Sequence, residues 1–407
     1  MKNLVTSMGT VKFQKTLYKN RNTGECSYLL DSNLGLDDHQ RMTEDAEAKA
    51  VQTSYRKGGE AVSILDSVSK ETVKNKIHAL DFSKLKEKFP EKKRVAKYLY
   101  IDADEDHASL QFNERRGDLL RNEQGRKNNC IQTKLIYVYE GTEKESPAGK
   151  RRQLVNPHYF CGVYGGRSNQ DLWQEVHDYL DAVYDLTKVK QVYLNSDGGG
   201  WIRNAGGRLH GVIRVLDGFH LNKYLLKMTA HMLDSADDAR KELIRTIRDG
   251  RKSDFGALAE KLTEYGESNG ECRRIADSAN YILSNWSAAK IRLQWDDGVI
   301  GCSAEGHVSH VLSDRMSSRP LGWSRTGADK MAHLRAYYFN HGDMLELVKA
   351  QALPKAAGCE KDIILTPSLI ERESLYPGWG KYVGHANHSV SVQGQKLAWL
   401  SAKISYI

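Results

Sequence analysis

The segment Tyr98-Leu-Tyr-Ile-Asp-Ala-Asp-Glu-Asp-His107 passes from apolar to acidic within one short stretch. Its first half has the composition of a buried β-strand, and a strand that ends in a carboxylate presents that group at the rim of a sheet. Side chains two positions apart on a strand share a face, so Asp102 and Asp104 both qualify as the functional acid. We favour Asp104, because the next apolar strand pattern starts shortly beyond it.

Two other acids, far away in the chain, stand in similar local settings. Asp197 follows the run Val192-Tyr-Leu-Asn-Ser196 and precedes three glycines, and Glu305 opens a helix. Three carboxylates from distant segments are what two hard divalent cations need for phosphodiester chemistry, and magnesium needs few protein ligands because it keeps several waters. The sequence therefore predicts that Asp104, Asp197 and Glu305 bind two Mg²⁺ ions in an enzyme that cleaves nucleic acid.

Strand and helix patterns alternate from residue 95 onward. The predicted strands cover 95–103, 108–112, 134–140, 159–164, 191–195 and 211–216, and a helix covers 169–185. Three strands in sequence, then helix and strand in alternation, with an acid at the end of the first strand, is the ribonuclease-H-like order. We therefore predict an α/β fold with a mixed sheet and flanking helices. Residues 219–286 are helical and charged without strand signals, and we interpret them as an α-helical insertion.

The N-terminal region has two different patterns. Alternating residues at 9–18 and 25–30, with turn residues at 20–24, predict a β-hairpin. Short helical patterns follow, and Ser69 is placed to cap the last helix, on which apolar residues face inward. Lys70, Lys74 and Asn75 then face outward, which favours a helix-turn-helix-like module that binds DNA. A plain helical bundle is the alternative.

These patterns divide the chain into successive segments. They are a β-hairpin region at 1–40, the helix-turn-helix-like DNA-binding module with a basic linker at 41–94, the first part of the catalytic core at 95–218, the insertion at 219–294, the second part of the core with Glu305 at 295–349, and a C-terminal tail at 350–407.

Other side chains near the predicted acids have candidate roles. Asp217 and His220 follow a short apolar strand and open a helix, where they can cap the helix and orient groups of the site. A role of Asp217 as a helix cap alone is the alternative. Arg315, Arg319 and Arg335 follow Glu305 in sequence and are candidates for phosphate contacts. Trp323 would stack on a base or brace a loop.

Composition excludes several classes of protein. Hydrophobic residues are 40% and charged residues 28% of the 407, which is typical of a folded globular chain. No apolar run approaches the roughly 20 residues of a membrane span, and no secretory signal is present, so a cytoplasmic protein without membrane contact is expected. The net charge of +8 is compatible with a polyanionic partner. Six cysteines without a Cys-x-x-Cys pair predict reduced thiols.

The chain resembles the ISLre-type insertion-sequence transposases of bacteria, a branch of the DDE transposases. The likeness runs from about residue 9 to residue 348. The phrases that carry it are Leu99-Tyr-Ile-Asp-Ala-Asp-Glu-Asp-His107, Asn195-Ser-Asp-Gly198, Val215-Leu-Asp-Gly-Phe-His-Leu-Asn-Lys-Tyr224 and Ser303-Ala-Glu-Gly306, with Arg315, Arg319, Trp323, Met331 and Leu334-Arg335 continuing the last. Together these phrases are specific, although any single one is weak.

The resemblance implies a ribonuclease-H-like core interrupted by an α-helical insertion before the catalytic glutamate. It assigns the metal-binding triad to Asp104, Asp197 and Glu305, and an Asp-x-x-His element to Asp217 and His220. It implies Mg²⁺ or Mn²⁺ as cofactor, cleavage of the ends of a mobile element, and joining of those ends to target DNA. Proteins of this kind usually carry a further helical stretch ahead of the hairpin, which Met1 nearly abuts here.

We therefore expect a transposase that recombines double-stranded DNA, at element ends and target, as a homo-oligomer on the DNA. One alternative is a catalytically silent DNA-binding repressor derived from a transposase, in which Lys70, Lys74 and Asn75 carry binding without metal-dependent nicking. Another ribonuclease-H-like nuclease is the second alternative, and strand-transfer products would distinguish the transposase from it.

Overall fold

A computed structural model of the chain describes residues 1–351 apart from 21, 25, 38–39, 86–88, 112–119, 122–126, 129, 204, 206–208, 210, 295–297 and 319–321. The predicted tail therefore lies outside the described residues, except for its first two positions, as does Arg319. The strands are β1 (Lys2–Val5), β2 (Thr10–Phe13), β3 (Tyr18–Lys19), β4 (Cys26–Ser27), β5 (Tyr98–Ser109), β6 (Leu120–Arg121), β7 (Lys127–Asn128), β8 (Cys130–Tyr139), β9 (Thr142–Lys144), β10 (Arg152–Leu154), β11 (His158–Gly162), β12 (Gln191–Ser196) and β13 (Ile213–Leu216).

Helices account for most of the remaining regular structure. They are α1 (Leu29–Leu34), α2 (Glu44–Val51), α3 (Tyr55–Ala61), α4 (Lys70–Ala79), α5 (Asn169–Val183), α6 (Gly200–Arg203), α7 (Gly218–Thr229), α8 (Ala236–Asp249), α9 (Lys252–Glu264), α10 (Asn269–Ser284), α11 (Trp286–Gln294), α12 (Ala304–His307), α13 (Asp314–Met316), α14 (Arg325–Phe339) and α15 (Met344–Gln351). A π-helical turn, Val308–Ser313, joins α12 to α13.

A five-stranded mixed sheet organises the fold. Its strand order is β11-β8-β5-β12-β13, with antiparallel pairing from β11 to β5 and parallel pairing from β5 to β13. The parallel strands are in register, because Ala103 pairs with Ser196 and Ser196 pairs with Leu216. The residues that follow these three therefore lie side by side at one edge of the sheet. The prediction of an α/β protein with a mixed sheet is confirmed.

Strand β5 is longer than the sequence predicted. It continues through the acidic residues to Ser109, so Asp104 lies within the strand, and the prediction of a separate strand at 108–112 is wrong for its described residues. Pairing with β8 from Tyr100 to Ser109 explains the difference. Glu105 forms an ion pair with Lys134 across this pairing, which offsets the repulsion among neighbouring acids. Asp104 nevertheless lies just beyond the last β5 residue that pairs with β12.

The N-terminal hairpin is confirmed in part. Tyr18–Lys19 pairs antiparallel with Cys26–Ser27 across the predicted turn, but residues 10–13 pair with Lys2–Val5, and the second half of the predicted strand at 25–30 begins helix α1. The buried carboxylate of Asp31 on α1 accepts hydrogen bonds from Lys2 and Lys15. Pairing with these two lysines holds α1 against the N-terminal strand, an arrangement that local alternation in sequence does not encode.

Helices α2, α3 and α4 follow the predicted helical patterns. Gly58 and Gly59 lie inside α3, where neighbouring backbone approaches too closely for a side chain. A Cβ atom on Gly58 would lie 2.0 Å from the Ala50 carbonyl oxygen. The cap predicted for the last helix is confirmed, since Ser69 Oγ accepts a hydrogen bond of 3.2 Å from Thr72 N.

Three clusters of buried side chains stabilise the fold. The first packs α2, α3 and α4 together with α14 and α15 against one face of the sheet, so the N-terminal helices share their core with the C-terminal ones. The second packs α5 against the opposite face. The third lies within α7 to α11, the stretch predicted to be helical and free of strands, and gives that stretch a core of its own.

Candidate active site

Three acids lie side by side at the edge of the sheet where the parallel strands end. Asp104 follows Ala103 on β5, Asp197 follows the last residue of β12, and Asp217 follows the last residue of β13. Backbone hydrogen bonds fix this row: Asp217 N donates to Ser196 O over 2.8 Å. In the turn after β12, Gly199 N donates to Asp197 Oδ1 over 2.8 Å. Parallel register thus brings together residues that are far apart in sequence.

Glu305 reaches this row from the first turn of α12. Its side chain is 64% exposed, and its Oε1 lies 3.9 Å from His220 Nε2. The other ring nitrogen of His220 lies 2.9 Å from Asp217 Oδ2. Asp217 also accepts hydrogen bonds from the backbone amides of Phe219 and His220, so its predicted capping of α7 is confirmed. His220 therefore connects the cap of α7 with the acid on α12.

The pKa values of Asp104, His220 and Asp217 are shifted by burial, neighbouring charges and hydrogen bonds. Burial, together with the negative charges of Asp197 and Glu305, raises the pKa of Asp104 to about 7 against the opposing effects of the Glu105 amide and His220. The hydrogen bond to Asp217 raises the pKa of His220, although burial opposes it. Burial disfavours the charged form of Asp217, but hydrogen bonds from His220 and backbone amides outweigh it and lower its pKa. Asp104, Asp197 and Glu305 thus form one electrostatic cluster.

The chemistry of this cluster suits a hard divalent cation. Its carboxylate oxygens are the ligands that Mg²⁺ prefers, and a cation would relieve the repulsion that raises the pKa of Asp104. Within the part of the chain that the structure describes, no three acidic, histidine or cysteine side chains stand close enough to hold an ion as they are placed.

A cavity of about 220 Å³ opens beside the cluster. It is lined by Asp217, Phe219, Cys302, Ala304 and Glu305. Phe219 is 60% exposed although it is a large apolar residue, because it follows the capping residue of α7 and points away from the core. The cavity lies beside the exposed side chain of Glu305.

Asp102, the alternative first acid, is in a different environment. It is completely buried and accepts four hydrogen bonds: from Tyr137 Oη (2.7 Å), Tyr139 Oη (3.1 Å), Asn195 Nδ2 (2.8 Å) and Ser303 N (3.1 Å). Burial raises the pKa of Asp102 in spite of these donors. Its oxygens are fully used within the protein, so the geometry favours Asp104 as the acid available to a ligand.

A buried arginine that sequence reasoning missed extends this network. Arg292, on the last helix of the insertion, donates from Nη2 to Asn195 Oδ1 (3.0 Å), from Nε to Leu216 O (2.8 Å) and from Nη1 to Ile300 O (2.7 Å). In the sequence alone, Arg292 looks like one of the many surface cations of a charged helix. The one available signal was Asn195, a polar residue at the end of an otherwise apolar strand.

The insertion also contacts the turn that carries Asp197. Tyr281 Oη donates a hydrogen bond to Asp197 O, and its ring stacks on that of Tyr224 at 3.8 Å between centroids. Gly198 adopts a positive φ of 85°, and a Cβ atom there would lie 2.4 Å from Asn285 Oδ1. Glycine is required at 198 both by the backbone conformation and by the close approach of α10.

The predicted phosphate-binding arginines are used differently by the fold. Arg335 donates to the carbonyl oxygens of Val311 (2.8 Å) and His310 (2.7 Å), which belong to the π-helical turn. Arg315 is turned toward the N-terminal helices, and burial lowers its pKa to about 10. These contacts do not support phosphate binding by either residue. Trp323 is buried, and its Nε1 donates to Met316 O (2.9 Å), so it braces the loop.

The residues predicted to contact DNA on the N-terminal helices remain at the surface. Lys70 and Asn75 are exposed on α4, and Lys74 is half-buried and forms an ion pair with Glu71. Residues three and seven apart share a helix face, so Lys70 lies at the start of the same face of α4 as the buried Val73 and Ile77, and only Asn75 lies on the opposite face. The three side chains therefore do not form one exposed surface of α4.

The fold and site define a mixed α/β protein with a carboxylate cluster at the ends of its parallel strands. The chain belongs to the Uncharacterised protein family UPF0236, whose model matches residues 1–351. A UPF0236 protein of Caldanaerobacter subterraneus subsp. tengcongensis is 35% identical over 353 residues, with coverage of 85% of this chain and 69% of the relative. A UPF0236 protein of Streptococcus gallolyticus is 26% identical over 343 residues, covering 80% and 70%.

Among solved structures, the chain is similar to the Drosophila P element transposase strand transfer complex, with a TM-score of 0.23 and 10% identity. The match covers 77% of this chain and 82% of that one. A likeness at this TM-score carries no argument about fold or activity. Within the described ranges, no helix has both the length and the apolar character to cross a membrane.

Proposed function

We propose that this protein is a DDE-type DNA transposase of a bacterial insertion sequence, which cleaves the ends of its element and joins them to target DNA. The observation that carries the proposal is the electrostatic cluster that Asp104, beside the ends of the parallel strands, forms with Asp197 and Glu305. We assign these three acids the catalytic and metal-binding roles. Asp217 and His220 act as accessory residues that orient Glu305.

The arrangement of the sheet supports this assignment. Its order, with three antiparallel strands followed by two parallel ones and β5 in the centre, agrees with the ribonuclease-H-like order expected from the sequence. The first acid lies on the central strand, the second follows the neighbouring parallel strand, and the third lies on a helix after the insertion. These positions of the three acids support the proposal.

Two divalent cations, Mg²⁺ or Mn²⁺, bound by the carboxylates would activate the attacking oxygen and stabilise the leaving 3′-oxygen. The protein itself supplies position. Strand register and the Gly199 amide hold Asp197, and the strand holds Asp104. His220, fixed by Asp217, directs Glu305 toward the other two acids.

The names of the relatives give further support. The protein of Caldanaerobacter subterraneus subsp. tengcongensis has a name that joins several locus designations of one strain. A protein encoded at several loci of one genome is what a mobile element that copies itself leaves behind. Together with the resemblance to ISLre-type transposases, this favours a role in transposition. We place its action on double-stranded DNA in the cytoplasm, with a homo-oligomer assembled on the DNA.

The test is cleavage of labelled duplexes that carry the ends of the DNA segment encoding the protein, with Mg²⁺ or Mn²⁺. Wild type should cut at the ends, whereas Asp104→Asn, Asp197→Asn and Glu305→Gln should each lose at least about 10²-fold in rate, because each removes a charge that the cations need. Asp238→Asn is the matched control, since Asp238 is an exposed acid in the first turn of a helix, as Glu305 is. Equal rates in all the variants would refute the proposal.

Analysis of the products distinguishes the alternatives. Joining of the cut ends to a second, unlabelled duplex identifies a transposase, and cutting without joining identifies another nuclease. Sequence-specific binding of the ends without cutting identifies a repressor. In that case Lys70→Ala and Asn75→Ala should abolish the binding, because these side chains are exposed on α4.

A further inference from the structure

A second cavity, of about 200 Å³, lies on the other side of the Asp197 turn. Ser196 and Gly198, the two neighbours of Asp197, line it, and so do three basic residues, Arg203, Arg214 and Lys252. The basic residues come from the end of α6, from β13 and from the start of α9, so both the sheet and the insertion contribute. This cavity is separate from the one that Glu305 lines.

The charged side chains among the described residues that line this cavity are all positive. No acidic side chain is among them, and neither Arg203, Arg214 nor Lys252 forms an ion pair with any residue that the structure describes. The cavity is also lined by residues 286–288, the start of α11, where a helix carries partial positive charge. Three neighbouring cations repel one another, and an anion between them would remove this repulsion.

We propose that this cavity binds a phosphate of a nucleic-acid backbone, next to the phosphate that reacts at the carboxylate cluster. Arginine forks match phosphate oxygens, and lysine adds a point charge. At about 200 Å³ the cavity is smaller than the roughly 300 Å³ at which pockets for whole small ligands begin, so it suits one group of a longer molecule. The inference rests on the proposed function, because it takes nucleic acid as the substrate.

The position of the cavity supports a polymeric ligand. Ser196 and Gly198, the chain neighbours of Asp197, line the cavity, so it lies next to the turn that carries one of the proposed catalytic acids. Because both the sheet and the insertion line the cavity, the bound phosphate would also hold α9 and α11 to the end of β13.

The experiment measures binding of a labelled duplex by fluorescence anisotropy, in EDTA so that no cleavage occurs, over a series of salt concentrations. Arg203→Ala, Arg214→Ala and Lys252→Ala should each weaken binding, on the order of ten-fold for the arginines. Each should also reduce the slope of log K against log salt by about one, as the loss of one phosphate contact does. Arg151→Ala, an exposed arginine on another part of the surface, should leave both quantities unchanged.

Inorganic phosphate provides the second arm, measured by calorimetry. The proposal expects no saturable binding of free phosphate at millimolar concentration. If phosphate saturates the wild type but not Arg214→Ala, while DNA affinity is the same in both, the cavity binds a free anion and the proposal is overturned. An unchanged salt slope in all three variants overturns it as well.

Different results would refute the proposed catalysis and the proposed phosphate site. Asp197→Asn should lose cleavage and keep its affinity for DNA in EDTA, and Arg214→Ala should lose affinity although the carboxylate cluster is intact. Because Arg203, Arg214 and Lys252 are exposed, the variants should unfold at the wild-type temperature. A folded Arg214→Ala protein with wild-type DNA binding would refute the phosphate site and leave the proposed catalysis standing.

Discussion

Arg292 and Asn195 are joined by a hydrogen bond of 3.0 Å across 97 residues of sequence. Asn195 in turn donates to Asp102, which also holds the amide of Ser303, two residues before Glu305. The insertion, the sheet and the segment that carries the last acid of the cluster are therefore connected by one polar network. Arg292, Asn195 and Asp102 are all buried, so the network stabilises the fold and is out of reach of the expected substrate.

Removal of the Arg292 side chain should strongly destabilise the protein. Arg292→Ala leaves three acceptors without their donor in a buried place, and we expect a loss on the order of 3 kcal/mol in the free energy of unfolding. Urea denaturation followed by circular dichroism measures it. Arg273→Ala, at a side chain that is 85% exposed, should change stability by less than about 0.5 kcal/mol. Equal midpoints for the two variants would contradict the network.

Asp102 should matter for stability, and Asp104 should not. Asp102→Ala removes the acceptor of four hydrogen bonds and should lower the free energy of unfolding by about 2–4 kcal/mol. Asp104→Ala should raise stability or leave it unchanged, because Asp104 is partly desolvated beside two like charges. Thermal unfolding of the two variants without divalent cations makes the comparison. A greater loss for Asp104→Ala than for Asp102→Ala would mean that Asp104 is the structural acid and Asp102 the available one.

Replacing each of two helical glycines with alanine should change the stability of the protein in opposite directions. Gly58→Ala would place a Cβ atom 2.0 Å from the Ala50 carbonyl oxygen, so α2 and α3 must move apart, and we expect a loss of about 2–3 kcal/mol. Gly256 lies inside α9 with no atom near the added carbon, so Gly256→Ala should stabilise by about 0.4–1 kcal/mol. Chemical denaturation measures the free energy of unfolding of both variants. A change of the same sign in both would contradict the prediction.

The Asp329–His333 pair on α14 should make stability depend on pH. Burial alone would lower the pKa of His333, but the hydrogen bond and charge of Asp329 raise it above 6.5. Burial opposes ionisation of Asp329, but the hydrogen bond and charge of His333 and the Val163 amide outweigh it and lower the pKa of Asp329 below 3.8. A raised histidine pKa stabilises the fold below about 6.5, and this contribution is lost as the pH rises through the folded pKa. A lowered aspartate pKa stabilises the fold above about 3.8.

The pair should therefore contribute most between about pH 4 and pH 6.5. The free energy of unfolding, measured in urea from pH 5 to pH 8, should fall more steeply in wild type than in His333→Gln, which cannot titrate. The exposed His310 offers the control His310→Gln, whose profile should follow wild type. If the free energy of unfolding falls equally with pH in wild type and His333→Gln, this pair is not the cause of the pH dependence.

Local chemistry was predictable from the sequence, and partners across the fold were not. Ser69 and Asp217 were expected to cap helices and do so, because a cap depends on the next three residues only. Asp104 was expected at a strand end and lies within a strand, because β8, later in the chain, pairs with β5 from Tyr100 to Ser109. Arg335 was expected to contact phosphate, and instead it donates to a π-helical turn. That turn could not be predicted from its local sequence.

The insertion has a consequence for how the chain folds. Its core is built from residues between Leu216 and Ala289, so it can condense from contacts that are short-range in sequence. In the folded chain Arg292 donates to both Leu216 O and Ile300 O, so the insertion brings the two parts of the core together and shortens the loop that must close between them. Glu305 can then reach the sheet as the end of a short, structured connection, and slow long-range closure is avoided.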